Sequence, residues 1–476
     1  MTKEINEEIN LIKTYEKEEN SLESFDNFQY KLHKDGKRYL IQTNKTVNMN
    51  SSKFRLENLD AENFKINEFS IKIISSQIQS SNGIDSSSFR VNKFSDNNFN
   101  INKKLQYKLI IPYKEEIKIS LQDYFSLMGF MIYINGTLFR GLEFTIKEYT
   151  FHIYYLDNFF IIESLDEIDF TNFDSYSRLT LASFGFITGF VPMESGYYFG
   201  YENNRFIQYL FDSSFYNTYK TQYNLITTNA YDYYQNIDLN FSFDNNEFKT
   251  DSRIEDLNQQ LKPIERNVFE ILVNNMIEDR KFSEVVFSII SINNLKSFSS
   301  FLKAGLYSIV LEMITSVIYN TQESNPEDIL KKEHKSLNIE LQNKLHEISK
   351  DFYKINNFEY KDSIVEKRIN GMYTPINIDK LTEAYSILQI PLTKKDKKNI
   401  QSRNKFLHGS TPFNNKNAES FPRKLLYINL ELNYLVNALV LKHIGYDGII
   451  KNLAKIYLDD SNLSELKEQE YHKNLN

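Results

Sequence analysis

The chain has 476 residues, 41% of them hydrophobic, with 37 Phe and 32 Tyr and a formal net charge of -7. This is more than one domain's length and ample core material, which excludes wholesale disorder, and the acidity argues against a general coat for nucleic acid, since such binding rests on neutralising phosphates. The absence of Cys excludes disulfides, thiolate metal sites and cysteine nucleophiles, and fits a reducing cytoplasm.

The opening segment, MTKEINEEINLIKTYEKEEN within 1–24, is charged and lacks the apolar run of a signal peptide. Residues 25–247 read as strands and turns. RYLIQ (38–42), SIKIISS (70–76) and QYKLIIPY (106–113) are short, apolar and β-branched. FTIKEYTFHIYYLDNFFIIES (144–164) reads as paired strands turning at Leu156-Asp157-Asn158. The Ser-rich SSQIQSSNGIDSSSF (75–89) predicts a loop, and a short helix is expected near Asp169–Phe186. Tyr231, Tyr233 and Tyr234 could stack bases, but aromatics in a strand-rich half more often fill the core. An edge strand here is also a place where a partner protein could add.

From about Asp251 the spacing becomes helical. RIEDLNQQLKPIERNVFEILVNNMIEDR is interrupted by Pro263. Lys296–Asn320 predicts a helix with Ile309, Val310, Met313, Ile314 and Val317 on its apolar face and Glu312 off it. Its apolar run, LYSIVLEMITSVIY (306–319), contains a charge and is too short to span a bilayer, so no membrane is expected. Asn325-Pro326 opens a charged helix to about Lys354. Asp379–Leu388 is a short helix ended by Pro391. Thr393 caps a basic helix, with Asp396 at the capping-box distance, and Gly409 and Pro412 stop it. Phe421–Ile444 is a long closing helix, followed by a Gly-Tyr-Asp-Gly turn at 445–448 and a polar tail at 466–476. The predicted class is α+β, with a β-rich domain over 25–247 and a helical bundle over 250–465.

The basic helix carries Lys394, Lys395, Lys397, Lys398, Arg403 and Lys405 against the single acid Asp396, a local cationic surface on an acidic chain. Asn404 and His408 are four apart, on one helix face. A histidine at a helix C-terminus is favoured by the macrodipole alone, so the spacing by itself says little. The other histidines have no metal-ligand spacing, and HExxH, a Walker glycine loop, G-x-G-x-x-G and G-x-S-x-G are all missing from the sequence. Neither a metal nor a cofactor is expected.

RNKFLH (403–408), followed by Gly409 and the last long helix, resembles the R-N-x-x-x-H signature of HEPN domains. LYSIVLEMITSVI (306–318) is similar to the early HEPN helix that carries an acidic residue, and LELNYLVNALVLKHIGYDGII (430–450) to the closing helix and Gly-Tyr turn. The resemblance covers about residues 250–465. The first half, with ASFGFITGFVPMESGYYF (182–199), is similar to the region that accompanies HEPN domains in ApeA-like anti-phage proteins. The resemblance implies a cytoplasmic, metal-independent endoribonuclease acting as a homodimer, with a composite site where two motifs meet. Its RNA would be tRNA or another structured RNA, held by Lys394, Lys395, Lys397, Lys398 and Lys405. Its products would carry a 2′,3′-cyclic phosphate or 3′-phosphate and a 5′-hydroxyl. Its role would be abortive infection, triggered by a phage-derived activator.

The chemistry suits the residue types. His408 would be the general acid/base, because imidazole exchanges protons near neutral pH. Arg403 would hold the phosphate and its developing charge with a planar, permanently charged fork. Asn404 would orient the imidazole, and Glu312 would pair with Arg403 or His408. The alternative from the same resemblance is a non-catalytic HEPN-like dimerisation or nucleotide/RNA-binding module acting as an adaptor.

Overall fold

The structure is a computed structural model. It describes 5–15, most of 19–43, most of 63–112, most of 121–213, 219–220, residue 226, 261–295, 299–322, scattered positions in 340–354, 377–412, 421–458, residue 466 and 472–475. The sequence expectations for 231–234 and for the helix start at Asn325-Pro326 lie outside the described residues. The chain divides into two compact units, Met1–Asn294 with Gly448–Lys451, and Leu295–Asp447 with Asn452–Asn476. The division follows Asn294, some forty residues after the sequence turns helical.

The first unit begins with α1 (Ile5–Tyr15), formed by the charged opening segment. Strands β1 (Glu19–Ser24), β2 (Gln29–Asp35), β3 (Arg38–Thr43), β4 (Asn63–Ile66), β5 (Phe69–Asn82) and β6 (Ser86–Ser95) follow. Then come β7 (Gln106–Pro112), β8 (Phe130–Ile134), β9 (Thr137–Ile146), β10 (Tyr149–Leu156), β11 (Phe159–Ser164), α2 (Phe170–Thr188), β12 (Phe190–Val191), β13 (Gly196–Glu202) and β14 (Arg205–Asp212). Helices α3 (Arg266–Glu278) and α4 (Arg280–Asn294) complete the unit. Among the described residues, thirteen strands form one sheet in the order β3-β2-β1-β4-β5-β6-β14-β13-β7-β11-β10-β9-β8, and β3 also pairs with β6. That extra pairing closes β1 to β6 into a ring, which removes their free edges.

The 75–89 loop expectation is wrong. Ser75–Asn82 continues β5 and Ser86–Phe89 begins β6. Serine is a poor strand former in isolation, but every β5 residue here except Gln79 finds a ladder partner on β6, with register shifts near Ser75, Ser76 and Ser80 absorbing the misfit. The hairpin at 156–159 and the helix capped by Asp169 match the sequence, the helix being 19 residues long rather than short.

Alternation along the strands separates two cores. On one face Ile9, Ile12 and Tyr15 of α1 pack with Ile110, Tyr154, Ile161, Tyr197, Phe199 and Phe211. On the other, rings of α2 and α3 meet the sheet, as in Phe173 stacked on Phe151 and Phe269 edge-on to Phe144. On the α1 face, beside Ile110, Tyr154 and Ile161, a polar row crosses four strands, with Glu143 opposite His152, His152 opposite Glu163 and Glu163 opposite Lys108. His152 is buried, with Nε2 3.1 Å from Glu143 and Nδ1 3.2 Å from Glu163. Burial opposes ionisation of Glu163, but Lys108 first, then His152 and Tyr154, hold its carboxyl below the usual range. Glu8 of α1 reaches the same row, accepting from Tyr201 with Lys108 Nζ 4.0 Å away.

Asp96 supplies a pH test of this unit. Its Oδ2 accepts the Tyr209 amide, and its Oδ1 is buried without a partner. Burial raises its pKa to about 6. The folded pKa lies above the unfolded one, so its contribution is fully present below the unfolded value of 3.8 and lost as pH rises through about 6. Asp96→Asn keeps the acceptor and removes the charge. It should raise the melting temperature at neutral pH, by on the order of 1–2 kcal/mol in stability, and lose that advantage near pH 4. Melts of both proteins across this range check it.

The second unit contains α5 (Ser300–Gln322), α6 (Asn377–Ile387), α7 (Lys394–Leu407), α8 (Phe421–His443) and α9 (Leu453–Leu458). The protein is thus α+β, with a large antiparallel sheet in its first half and helices in its second. Helix α5 packs against α6, α7 and α8, and α8 also against α7 and α9. Within α5, Ser300–Tyr319 is long and apolar enough to cross a membrane by length and composition, and 56% of that window is buried inside the protein. A buried core helix passes the same test.

The apolar face assigned to α5 needs correction. Val310, Ile314 and Val317 are buried, with Ala304, Tyr307, Leu311 and Ile318, but Ile309 is 46% exposed. Ser308 and Thr315 are buried in its place. Neighbours on more than one side widen the covered arc, so Ile309 falls on the open stripe one turn from Glu312.

The polar tail also enters the packing. Lys473 donates to Glu431 Oε2 at 3.0 Å and sits 3.9 Å from the centre of the Tyr434 ring, while Leu475 is fully buried. Glu431 is itself buried, and burial raises its pKa against the pull of Lys473. Lys473→Met leaves this carboxylate without its ammonium. It should cost on the order of 3 kcal/mol near neutral pH, and less in acid, where Glu431 can protonate. Adding Glu431→Gln should recover most of the loss, which denaturant titrations of the single and double variants would measure.

Candidate functional site

Helix α7 forms because both of its ends are capped. At the N-terminus Thr393 Oγ1 accepts the Asp396 amide at 3.1 Å, and Asp396 Oδ2 accepts the Thr393 amide at 2.8 Å. An aspartate thus serves at N3, where glutamate or glutamine is usual. Asp396 also offsets the N-terminal pole of the helix dipole. At the C-terminus His408 is the cap residue, and Gly409 adopts a φ of 71°. Gly409 donates to Phe406 O at 3.1 Å and Ser410 to Lys405 O at 2.7 Å, the paired closure of a Schellman motif. This turn fixes where His408 leaves the helix.

The sequence of α7 separates into two sides. Asp396, Asn399, Ile400, Arg403 and Phe406 are buried, and Phe406 meets Phe301 of α5 edge-on at 5.7 Å. On the opposite side Lys394, Lys397, Lys398, Asn404, Lys405 and His408 are exposed, and Lys395 is half-buried at the boundary. The structure therefore gathers Asn404, His408 and four of the five lysines on one open face. Arg403 is not on it. Its side chain is 3% exposed and donates through Nη1 to Glu312 Oε1 on α5. Glu312 is 46% exposed, so the pair has a buried cation and a carboxylate turned half to water. Of its two expected partners, Glu312 pairs with Arg403.

The helices that carry this pair, and α8 packed against them, hold buried polar groups that the motif did not reveal. Asn399 Nδ2 on α7, one turn before Arg403, and Thr315 Oγ1 on α5, three residues after Glu312, have no hydrogen-bond partner. On α8, Asn429, Asn433 and Asn437 are buried, with Asn437 Nδ2 on Asn433 Oδ1 at 2.6 Å and with Asn429 Oδ1 and Asn433 Nδ2 unpartnered. Their spacing of four along an otherwise apolar helix was the available sequence signal. Among the described residues no group of three or more His, Asp or Glu could hold a metal.

The arrangement offers a basic surface for a polyanion, an exposed imidazole beside an amide for proton transfer, and a guanidinium already engaged by a carboxylate. No protein-family model, curated protein or solved structure matches the chain.

Replacing Gly409 tests the local geometry. A Cβ at this position meets nothing within 4 Å, so the cost of Gly409→Ala is the positive φ alone. We expect a loss of about 1 kcal/mol and altered presentation of His408, seen as a moved imidazole resonance in NMR spectra with the remaining histidines unchanged.

Proposed function

We propose that the protein is a metal-independent endoribonuclease, acting as a homodimer in which the R-N-x-x-x-H segments of α7 from two copies form the site. The observation that carries this reading is the open side of α7, where His408 and Asn404 share one face with Lys394, Lys397, Lys398 and Lys405. Lysines there would draw in the RNA backbone. His408 would take the proton of the 2′-hydroxyl as it attacks the adjacent phosphorus, and return one to the leaving 5′-oxygen. The products of that displacement are a 2′,3′-cyclic phosphate and a 5′-hydroxyl. Arg403, with Glu312 as its partner, is the charge reserve for the phosphorane. The resemblance of RNKFLH and its flanking helices to HEPN domains supports the same assignment. It also supports tRNA or another structured RNA as substrate, a cytoplasmic location, and a role in anti-phage defence with a phage-derived trigger.

Incubating the protein with bulk tRNA in EDTA, beside His408→Ala and Arg403→Ala, tests the reaction. Discrete cuts ending in 5′-hydroxyls are expected, reduced at least about 100-fold in the His408 variant. No cleavage by folded dimer, even in extract from phage-infected cells, would remove the nuclease reading.

A further inference from the structure

We propose that Glu312 is an internal competitor for the substrate phosphate, a carboxylate that occupies the Arg403 guanidinium until a phosphate of the bound RNA displaces it. The inference rests on the reading of the α7 face as an RNA site and specifies how that site is regulated. Its basis is the asymmetry of the pair. Arg403 is 3% exposed and cannot leave the bundle to meet a ligand without baring buried surface, whereas Glu312 is 46% exposed on the solvent side of the contact. The two partners are therefore unequal in freedom. The arginine is the fixed element and the glutamate the exchangeable one.

Both anions suit the same fork. A carboxylate and a phosphate each offer paired oxygens to a guanidinium, and phosphate carries the greater charge and the more acceptors. The swap also resolves the distance between roles on α7. The lysines, Asn404 and His408 lie on the exposed side, and Arg403 lies on the buried side. A phosphate that reaches Arg403 must arrive where Glu312 stands, so the arginine is engaged only once an RNA chain is seated against the helix. The surroundings can receive the change. Ile309, Ser316 and Leu302 on the Glu312 side of α5 are exposed, and a Cβ at Gly305 would meet nothing within 4 Å, so a released Glu312 side chain has open space to turn into. A strut would show the reverse pattern, with the carboxylate as buried as the guanidinium.

The test measures binding apart from cleavage, with a fluorescent 2′-O-methylated oligouridylate that lacks the attacking hydroxyl. Anisotropy titrations would compare wild type, Glu312→Gln, Arg403→Ala and the double variant over a range of salt. Glutamine keeps the size and one acceptor, and a thermal melt of each variant confirms folding. Glu312→Asp, which keeps the charge but shortens the reach, serves if the glutamine variant melts early. Glu312→Gln should tighten binding about fivefold, because the phosphate no longer has a carboxylate to displace from Arg403. In the Arg403→Ala background the same change should do nothing. A gain that persists without Arg403 would reduce the effect to general charge and overturn the proposal. Unchanged or weaker binding in Glu312→Gln would overturn it too, making the pair a strut. Failure of the wider reading looks different. Arg403-dependent binding with no cleavage of tRNA would remove the nuclease and leave the competitor, whereas cleavage with an unaltered Glu312→Gln affinity would leave the nuclease and remove the competitor. Absence of binding by every variant would overturn both.

Discussion

A guanidinium among packed helices needs a counter-charge, or the helix that carries it must shift outward to reach water. Arg403 receives one from Glu312, and the arrangement of the helical unit around the candidate site follows from that contact. It ties α7 to α5. It turns the buried side of α7 inward and so turns Asn404, His408 and the lysines outward. The caps at Thr393 and Gly409 then set the length of the helix, and so the point at which His408 ends it. One ion pair and two caps suffice to give a basic, histidine-bearing face.

The same economy governs the sheet-bearing unit. A row of ionisable side chains, Glu143, His152, Glu163 and Lys108, crosses neighbouring strands on the α1 face. Lys108 supplies the counter-charge of Glu163, and α1 adds Glu8, 4.0 Å from Lys108 Nζ. Buried ionic rows of this kind contribute little net stability compared with well-packed apolar side chains, because desolvation offsets attraction. They do penalise a slipped register, since moving one strand by a residue would send its charge to the opposite face and leave its neighbours unpaired.

Much of the helical unit was legible because its signals are local. Thr393 with Asp396, Gly409 and the apolar spacing of 421–444 each act within a turn or two of chain, and the structure places helix ends within a residue or so of those expectations. The two-sided character of α7 was legible in part. Asn404 and His408 were expected on one face and lie on one, whereas the inward turn of Arg403 depends on a glutamate 91 residues away. The serine-rich strands were missed for a similar reason. Residues 75–89 have weak intrinsic preference, and the ladders between β5, β6 and β3 override it. Charged termini misled in the same direction. The opening segment hides Ile9, Ile12 and Tyr15 between its glutamates and lysines, and the closing one hides Leu475.

The placement of α7 depends on the Arg403–Glu312 contact forming in solution and coupling two helices. A double-mutant cycle measures this directly, with chemical denaturation of wild type, Glu312→Gln, Arg403→Met and the double variant under one buffer. A favourable coupling of about 1–3 kcal/mol is expected, with the double variant more stable than the sum of the single losses allows. Strict additivity would contradict it, by showing that the two side chains do not meet and that the placement of α7 has another cause.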